Sequence, residues 1–257
     1  MNNRVSIHFN PDSVQIETLR DGKRSIKNTN IQAVQEVLTK GERVETPLLP
    51  FGWGVQKYTK VNNREQYVIA TPQARHRASF DMRAETGASG EDRYPNFEIV
   101  APAALWIIHV EHNPATDTRR YLHGVVYALK GPVLSLNERL YTFPFANTTT
   151  NYICWGSERD FPVLGASKSI MTIPDRFFAN PFNNDLDGGR FRRFEDKVKG
   201  KTIQRERTIH LLQYMDREVK KAEEEGKRPE FRNDILIEHD RRLGDVIEAY
   251  SREYLRR

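Results

Sequence analysis

Cysteine is almost absent from this chain: Cys154 is the only one in 257 residues. A single thiol excludes an internal disulfide, and no Cys-x-x-Cys pair exists to hold a zinc ion. Long apolar runs are missing too. The longest, 101–108, contains Pro102 and is strand-sized, whereas a membrane helix needs roughly 18 or more apolar residues. The first residues, Met-Asn-Asn-Arg-Val-Ser-Ile-His-Phe, lack the apolar stretch of an export signal. The expected location is therefore the cytoplasm. Nor is there a glycine-rich phosphate loop: Gly188-Gly189 is followed by Arg190, not by Lys-Ser or Lys-Thr. Ser135 and Ser157 lack the Gly-x-Ser-x-Gly setting of an esterase nucleophile. His109, Glu111 and His112 are close in sequence, but in a strand positions 109 and 112 point to opposite faces, so joint metal ligation is not expected. No cofactor is implied, and there is no internal repeat or low-complexity tract.

What is present is a polar-surfaced globular composition, 38% hydrophobic and 29% charged, with a net charge of +5. From Arg190 to Arg257, 19 Lys or Arg stand against 15 Asp or Glu, so most of the excess is C-terminal. The acids are interleaved with the bases, the pattern of solvated helices; a basic stripe for nucleic acid is the sharper alternative.

Along the chain, Val5 to Phe9 and Val14 to Leu19 have strand character, with Asp21-Gly22 as a turn. Asn30 can cap a helix through Ile31 to Leu38, closed by Gly41. Val55 to Val61 and Gln66 to Thr71 read as strands joined by Asn62-Asn63, residues that tolerate the left-handed backbone of a tight hairpin. Ala84 to Pro95 reads as a loop. Phe97 to Val110 and Tyr121 to Leu129 are further strands, linked by the polar hairpin 113–120. The middle of the chain is thus an antiparallel meander of about four strands. Ile170 to Phe182 reads as a short helix or loop on the core. Beyond it, Ile203 to Glu225 and Asp234 to Arg256 lack internal proline and carry apolar stripes at helical spacing, separated by Gly226 and Pro229; a helical hairpin docked on the sheet is expected.

The chemistry concentrates after the meander, in Tyr141-Thr-Phe-Pro-Phe-Ala-Asn147-Thr-Thr-Thr-Asn151-Tyr-Ile-Cys154-Trp-Gly156. Asn147 precedes Cys154 by seven residues, across one polar turn. A thiolate can carry an acyl group, and an amide N–H can stabilise the oxyanion formed when that acyl is attacked. Alone, Cys154 could be a small buried hydrophobe. Gly156 and the polar run 157–160 place it at a rim instead. Arg159 would favour its thiolate, while Glu158 and Asp160 would oppose that or orient an incoming nucleophile. Asn147 can also simply hold the turn.

This segment resembles the active-site stretch of ubiquitin-conjugating enzymes, in which a four-strand meander leads to a His-Pro-Asn tripeptide, a turn and the catalytic cysteine. The more specific likeness is to a prokaryotic branch, the family D conjugating-enzyme-like proteins. It rests on Leu140-Tyr-x-x-Pro144-x-x-Asn147, on Ile153-Cys154-x-Gly156, and on Phe177-Phe178-x-x-Pro181-Phe182-Asn183-x-Asp185. It covers roughly residues 50 to 190. Phe145 and Ala146 stand where the family has histidine and proline, and the turn is one residue shorter.

The resemblance implies an α+β, ubiquitin-conjugating-enzyme-like fold, an antiparallel four-strand meander flanked by helices (51–190), to which the residue patterns add N-terminal β/α elements (1–50) and a C-terminal helical hairpin (191–257). It implies Cys154 as thioester carrier, Asn147 as its catalytic amide, and as partners a ubiquitin-like protein, a ThiF-like activating enzyme and a deconjugating peptidase. A mobile-element or antiviral-defence setting goes with it. Two other functions are open: an inert scaffold of the same fold that binds a ubiquitin-like partner, and a nucleic-acid-binding accessory protein using the basic C-terminal helices.

Overall fold

The structure is a computed structural model that describes residues 4–10, 13–20, 23–29, 44–46, 48, 53–83, 93–133, 135–149, 151–156, 162–165, 170–183, 186, 190–196, 201–203 and 207–255. Three N-terminal strands, β1 (Arg4–Asn10), β2 (Ser13–Arg20) and β3 (Lys23–Thr29), form an antiparallel sheet of their own. β3 is Lys-Arg-Ser-Ile-Lys-Asn-Thr, too polar to read as a strand. It is held by backbone pairing to β2, from Val14 opposite Thr29 to Arg20 opposite Lys23. The expected turn at Asp21-Gly22 and helix at Ile31 to Leu38 lie outside the described residues.

The large sheet is built on the meander. β4 (Val44–Glu45) borders β5 (Gly54–Val61), which pairs with β6 (Arg64–Thr71) through a two-residue turn where Asn62 adopts φ 55°. The chain then leaves this sheet for a separate hairpin, β7 (Ala74–Ser79) with β8 (Asn96–Ala101). Pro102, which has no N–H for a ladder, marks the return. β9 (Ala103–Asn113) lies between β6 and β10 (Thr118–Leu129), antiparallel to both. So β5, β6, β9 and β10 are the expected meander, interrupted by one hairpin.

Past β10, the chain adds β11 (Arg139–Thr142), β12 (Thr148–Thr149), β13 (Tyr152–Ile153) and β14 (Val163–Leu164), of which β11, β13 and β14 pair directly with β10. Then follow helix α1 (Thr172–Ala179), the hairpin β15 (Phe194–Asp196) and β16 (Lys201–Ile203), helix α2 (Thr208–Glu224), strand β17 (Glu238–Arg242) and helix α3 (Leu243–Leu255). The result is mixed α/β with mostly antiparallel strands.

Alternation along the central strands splits the core in two. Ile69, Trp106, Ile108, Val126 and Ala128 face one side, where α1, α2 and the β7–β8 hairpin pack. Val68, Leu105, Ile107, Val125 and Tyr127 face the other, covered by Leu243, Val246, Ile247 and Tyr250 of α3. Every one of these side chains is at least nine-tenths buried, each contributing about 1.5–3 kcal/mol of apolar burial for those of Val to Phe size. Trp106, fully buried, donates its indole N–H to Thr71 Oγ1 at 3.0 Å.

The C-terminal helices therefore do not form the expected hairpin. α2 and α3 lie on opposite faces of the sheet, and the stretch expected to begin the second helix is β17 instead. Glu238-His-Asp-Arg-Arg242 has no apolar stripe to bury as a helix. It docks by its backbone beside β11, where Thr142 N–H donates to Ile237 O at 2.9 Å and Arg139 pairs with Glu238 at 3.1 Å. Among the described residues, no helix is long and apolar enough to cross a membrane.

Candidate active site

Pro144, Phe145 and Ala146 are buried, and Phe145 stacks on Phe182 with ring centroids 5.6 Å apart. The positions that resemble a histidine and a proline thus serve as core. Asn147 then reverses the chain with φ 63°, a left-handed backbone that asparagine accepts more readily than other non-glycine residues. Its carbonyl accepts the Cys154 N–H at 2.7 Å. Thr148 pairs with Ile153 and Thr149 with Tyr152, and a second asparagine with a left-handed backbone, Asn151 at φ 72°, precedes the returning strand. So Asn147 and Cys154, seven positions apart, close one tight β-hairpin, and Gly156 at φ 88° ends it.

Two anchors hold this hairpin. Asn147 Nδ2 donates to Pro181 O at 3.0 Å, just beyond α1. The buried Arg190 donates from Nη1 to Thr148 Oγ1 at 2.5 Å, from Nη2 to Thr148 O, and from Nε to Leu186 O at 2.6 Å. The Asn147 amide is therefore occupied in tying the hairpin to the segment after α1. Arg190 gave no motif in the sequence; only its burial reveals the clamp.

The direction of Cys154 follows from its neighbours. Ile153 and Trp155 both pack into the α1/α2 face of the core. Tyr152 packs against the α3 face. Strand alternation then sends Cys154 to the α3 side, and it is exposed there.

On that side a row of polar side chains crosses the sheet. Gln66 in β6 pairs in register with His109 in β9, and His109 with His123 in β10. β10 pairs with β13 at Val125 opposite Tyr152, and that register continued two residues past the end of the ladder carries Cys154 toward the position of His123. The register shift between Tyr121 and His123 matters here. Tyr121 faces the α1/α2 core; the bulge turns His123 to the other face, under α3.

The row is ordered at one end and covered at the other. Ser251 of α3 donates to Gln66 Oε1 at 2.8 Å, leaving Gln66 Nε2 to donate to His109 Nε2 at 2.9 Å. His109 is then an Nδ1–H tautomer, and Nδ1 has no hydrogen-bond partner among the described residues. Both ring nitrogens of His123 are likewise buried without one. Tyr254 of α3 lies flat on the His123 ring, 4.2 Å between centroids and 10° between planes, and Tyr152 meets it edge-on at 4.6 Å. Burial holds both imidazoles neutral: it lowers His123 to about 4, and His109 to about 3 with the neighbouring His123 adding to the effect.

No protein-family model, curated protein or solved structure matches this chain. The site stands on its own geometry.

The structure brings Asn147 and Cys154 together as the two ends of one hairpin, joined through backbone rather than through the Asn147 amide. Glu158, Arg159, Asp160 and Asp185 lie outside the described residues. His109 and His112 do point to opposite faces: His109 sits under α3, while His112 bonds Asp117 at 3.0 Å. The basic C-terminal surface is laced with ion pairs, among them Lys220–Asp216, Lys227–Glu225, Arg232–Asp234 and Arg252–Glu248.

Proposed function

We propose that the protein is an acyl carrier of the ubiquitin-conjugating type, holding the C-terminus of a ubiquitin-like protein as a thioester on Cys154. The observation that carries this reading is the placement of the lone thiol. It lies directly past a four-strand antiparallel meander, on an extended strand end whose N–H is fixed by Asn147 O, with its side chain in solvent. An accessible thiol on a strand end held by its own N–H meets the requirements of transthioesterification, where the incoming carbonyl must be presented to a fixed sulfur.

Transfer runs in two steps. The Cys154 sulfur attacks the thioester of an activating enzyme, a new C–S bond forms and the donor thiol leaves. An amine or hydroxyl then attacks the Cys154 thioester, and the thiol is released. Asn147 contributes first by holding the hairpin; a role for its second amide hydrogen toward the oxyanion belongs to the acylated state.

A charging assay tests the proposal. The protein is incubated with a ubiquitin-like protein, a ThiF-like activating enzyme and ATP, then run on non-reducing gels. A thiol-sensitive adduct absent from Cys154→Ala supports it. No adduct, with the activating enzyme itself shown to be charged, overturns it.

A second reading has one specific observation in its favour. Phe145 and Ala146 are core residues and the Asn147 amide is turned to Pro181, so the fold can serve as a scaffold that binds a ubiquitin-like protein without being acylated. Binding of that protein retained in Cys154→Ala, with no adduct in the wild type, would select it. The nucleic-acid reading is weakened by the pairing of Lys220 with Asp216 on α2 and of Arg252 with Glu248 on α3, and it predicts salt-dependent retention on DNA or RNA.

A further inference from the structure

We infer that His123 is the proton partner of the Cys154 thiol, and that Tyr254 of the C-terminal helix is a removable cover that keeps the two apart. The inference rests on the carrier reading for its substrate, but its test needs only the thiol.

Three independent features point to it. The first is register: β10 and β13 are paired at Val125 and Tyr152, and that register continued two residues past the end of the ladder carries the exposed Cys154 toward the position of His123. The second is the state of the imidazoles. His109 is 1% exposed, yet its Nδ1–H has no acceptor among the described residues, and neither nitrogen of His123 has a partner. Buried polar atoms are nearly always satisfied, so orphans in a row call for an explanation. A relay with one link held open supplies it: Ser251, Gln66 and His109 are joined in order, His123 comes next, and Cys154 ends the row. The third is the cover. Tyr254 stacks flat on His123, in the last turn of α3, where Arg64 Nη1 bonds its carbonyl at 2.9 Å. The groups facing His123 are His109 from β9, Tyr152 from β13, and Tyr250 and Tyr254 from α3.

With Tyr254 in place the His123 ring is covered by a stacked phenol and both its nitrogens are buried. When the last turn of α3 lifts, a neutral imidazole faces the thiol. His123 takes the Cys154 proton, the sulfur attacks the incoming thioester carbonyl, the new C–S bond forms as the donor C–S bond breaks, and the proton passes to the departing sulfur. In the second step the same nitrogen accepts the proton of the attacking amine or hydroxyl as the Cys154 C–S bond breaks. Atoms and charge balance with no further reagent. A partner docking on this rim would thus couple its arrival to activation of the thiol.

The test is the pH–rate profile of Cys154 alkylation by iodoacetamide, read as intact mass in the full chain, where one thiol gives one adduct. Tyr254→Ala is expected to raise the rate near pH 7 by about tenfold, the gain from pairing a thiol with an imidazole, and to add an inflection between pH 5 and 7. His123→Gln added to Tyr254→Ala is expected to remove both. Circular dichroism and melting check that each variant is folded; if Tyr254→Ala melts below the assay temperature, all profiles are taken at a lower temperature at which it is folded. Equal profiles for wild type and the folded Tyr254 variant, or a gain that survives His123→Gln, would overturn the inference. Failure of charging with the alkylation effect intact sinks the carrier reading alone, and the reverse result sinks only the proton partner.

Discussion

Ile153 fills the space that Gly124 leaves open. A Cβ placed on Gly124 would come within 3.1 Å of Ile153 Cδ1, 2.9 Å of Ile108 Cδ1 and 2.5 Å of Tyr121 Oη. The strand that carries the thiol is therefore keyed to β10 on both faces: Ile153 and Trp155 into the core below, Tyr152 and Cys154 above. Gly124→Ala is predicted to lower stability by about 1–3 kcal/mol through overpacking, measured by urea unfolding. A loss below about 0.5 kcal/mol would mean that Ile153 is not seated against β10.

Asn147 does two structural jobs, and they separate. Its left-handed backbone costs any Cβ residue other than Asn or Asp about 1 kcal/mol or more, and its amide bond to Pro181 O contributes about 1 kcal/mol. Asn147→Ala is predicted to lose both, about 2 kcal/mol, and Asn147→Gly only the second. In the charging assay, a defect in Asn147→Ala that Asn147→Gly largely repairs marks the residue as a hairpin anchor. An equal defect in both, at equal thioester formation but slower discharge, marks the amide as acting on the oxyanion.

A buried carboxylate organises the far end of the same sheet. Glu65, 2% exposed, accepts Tyr58 Oη at 3.1 Å, Tyr67 Oη at 2.8 Å and Arg119 Nε at 2.8 Å. Burial first, and then the Glu65 charge, push both phenols well above their ordinary range. Glu65→Leu removes the acceptor of two hydroxyls and of Arg119, which keeps only Asp117 at 3.6 Å, and is predicted to cost about 2–3 kcal/mol. The double variant Glu65→Leu, Arg119→Met should recover part of that loss, because no unpaired charge is left behind. Urea midpoints of the two variants decide it; equal midpoints would show that Arg119 is indifferent to Glu65.

How much of this could be read from residues alone differs between fold and site. β5, β6, β9 and β10 were legible because their half-buried alternation and the apolar run at 103–108 are strong local signals. β3 and β17 were not: Lys-Arg-Ser-Ile-Lys-Asn-Thr and Glu-His-Asp-Arg-Arg are made strands by the backbone ladders of their neighbours, which leave no mark on side-chain pattern. The two apolar stripes in the C-terminal region did report helices, but not that they pack on opposite faces of the sheet, since a stripe says only that one side is covered. At the site, Gly156 and the polar residues after it announced an exposed Cys154. The place of His123 on the α3 face was hidden, because it depends on one bulge at Tyr121/His123 that reverses which way a mid-strand histidine points. Arg190 was hidden for the same kind of reason, being 42 residues from the threonine it clamps.

The two neutral histidines under α3 also tie the stability of that face to pH. Their folded values, about 4 for His123 and about 3 for His109, lie below the ordinary 6.5, and His76 is lowered by burial in the same sense. Below pH 6.5 the unfolded chain therefore binds protons that the folded chain refuses, so stability is full above about pH 6.5 and falls as pH drops toward the folded values. At pH 5 the loss is roughly 2 kcal/mol for each of His109 and His123, at 1.36 kcal/mol per pH unit. His123→Phe, which keeps a ring under Tyr254 and removes the titration, should shrink the difference in unfolding free energy between pH 7 and pH 5 by about that amount, most carboxylates being still ionised across that interval. Hydrogen exchange of the α3 amides should speed up on acidification in the wild type before the central strands respond, because it is α3 that covers the row. If the pH 7 to pH 5 difference is the same in His123→Phe and wild type, the imidazole is already hydrated in the folded protein and Tyr254 does not seal it.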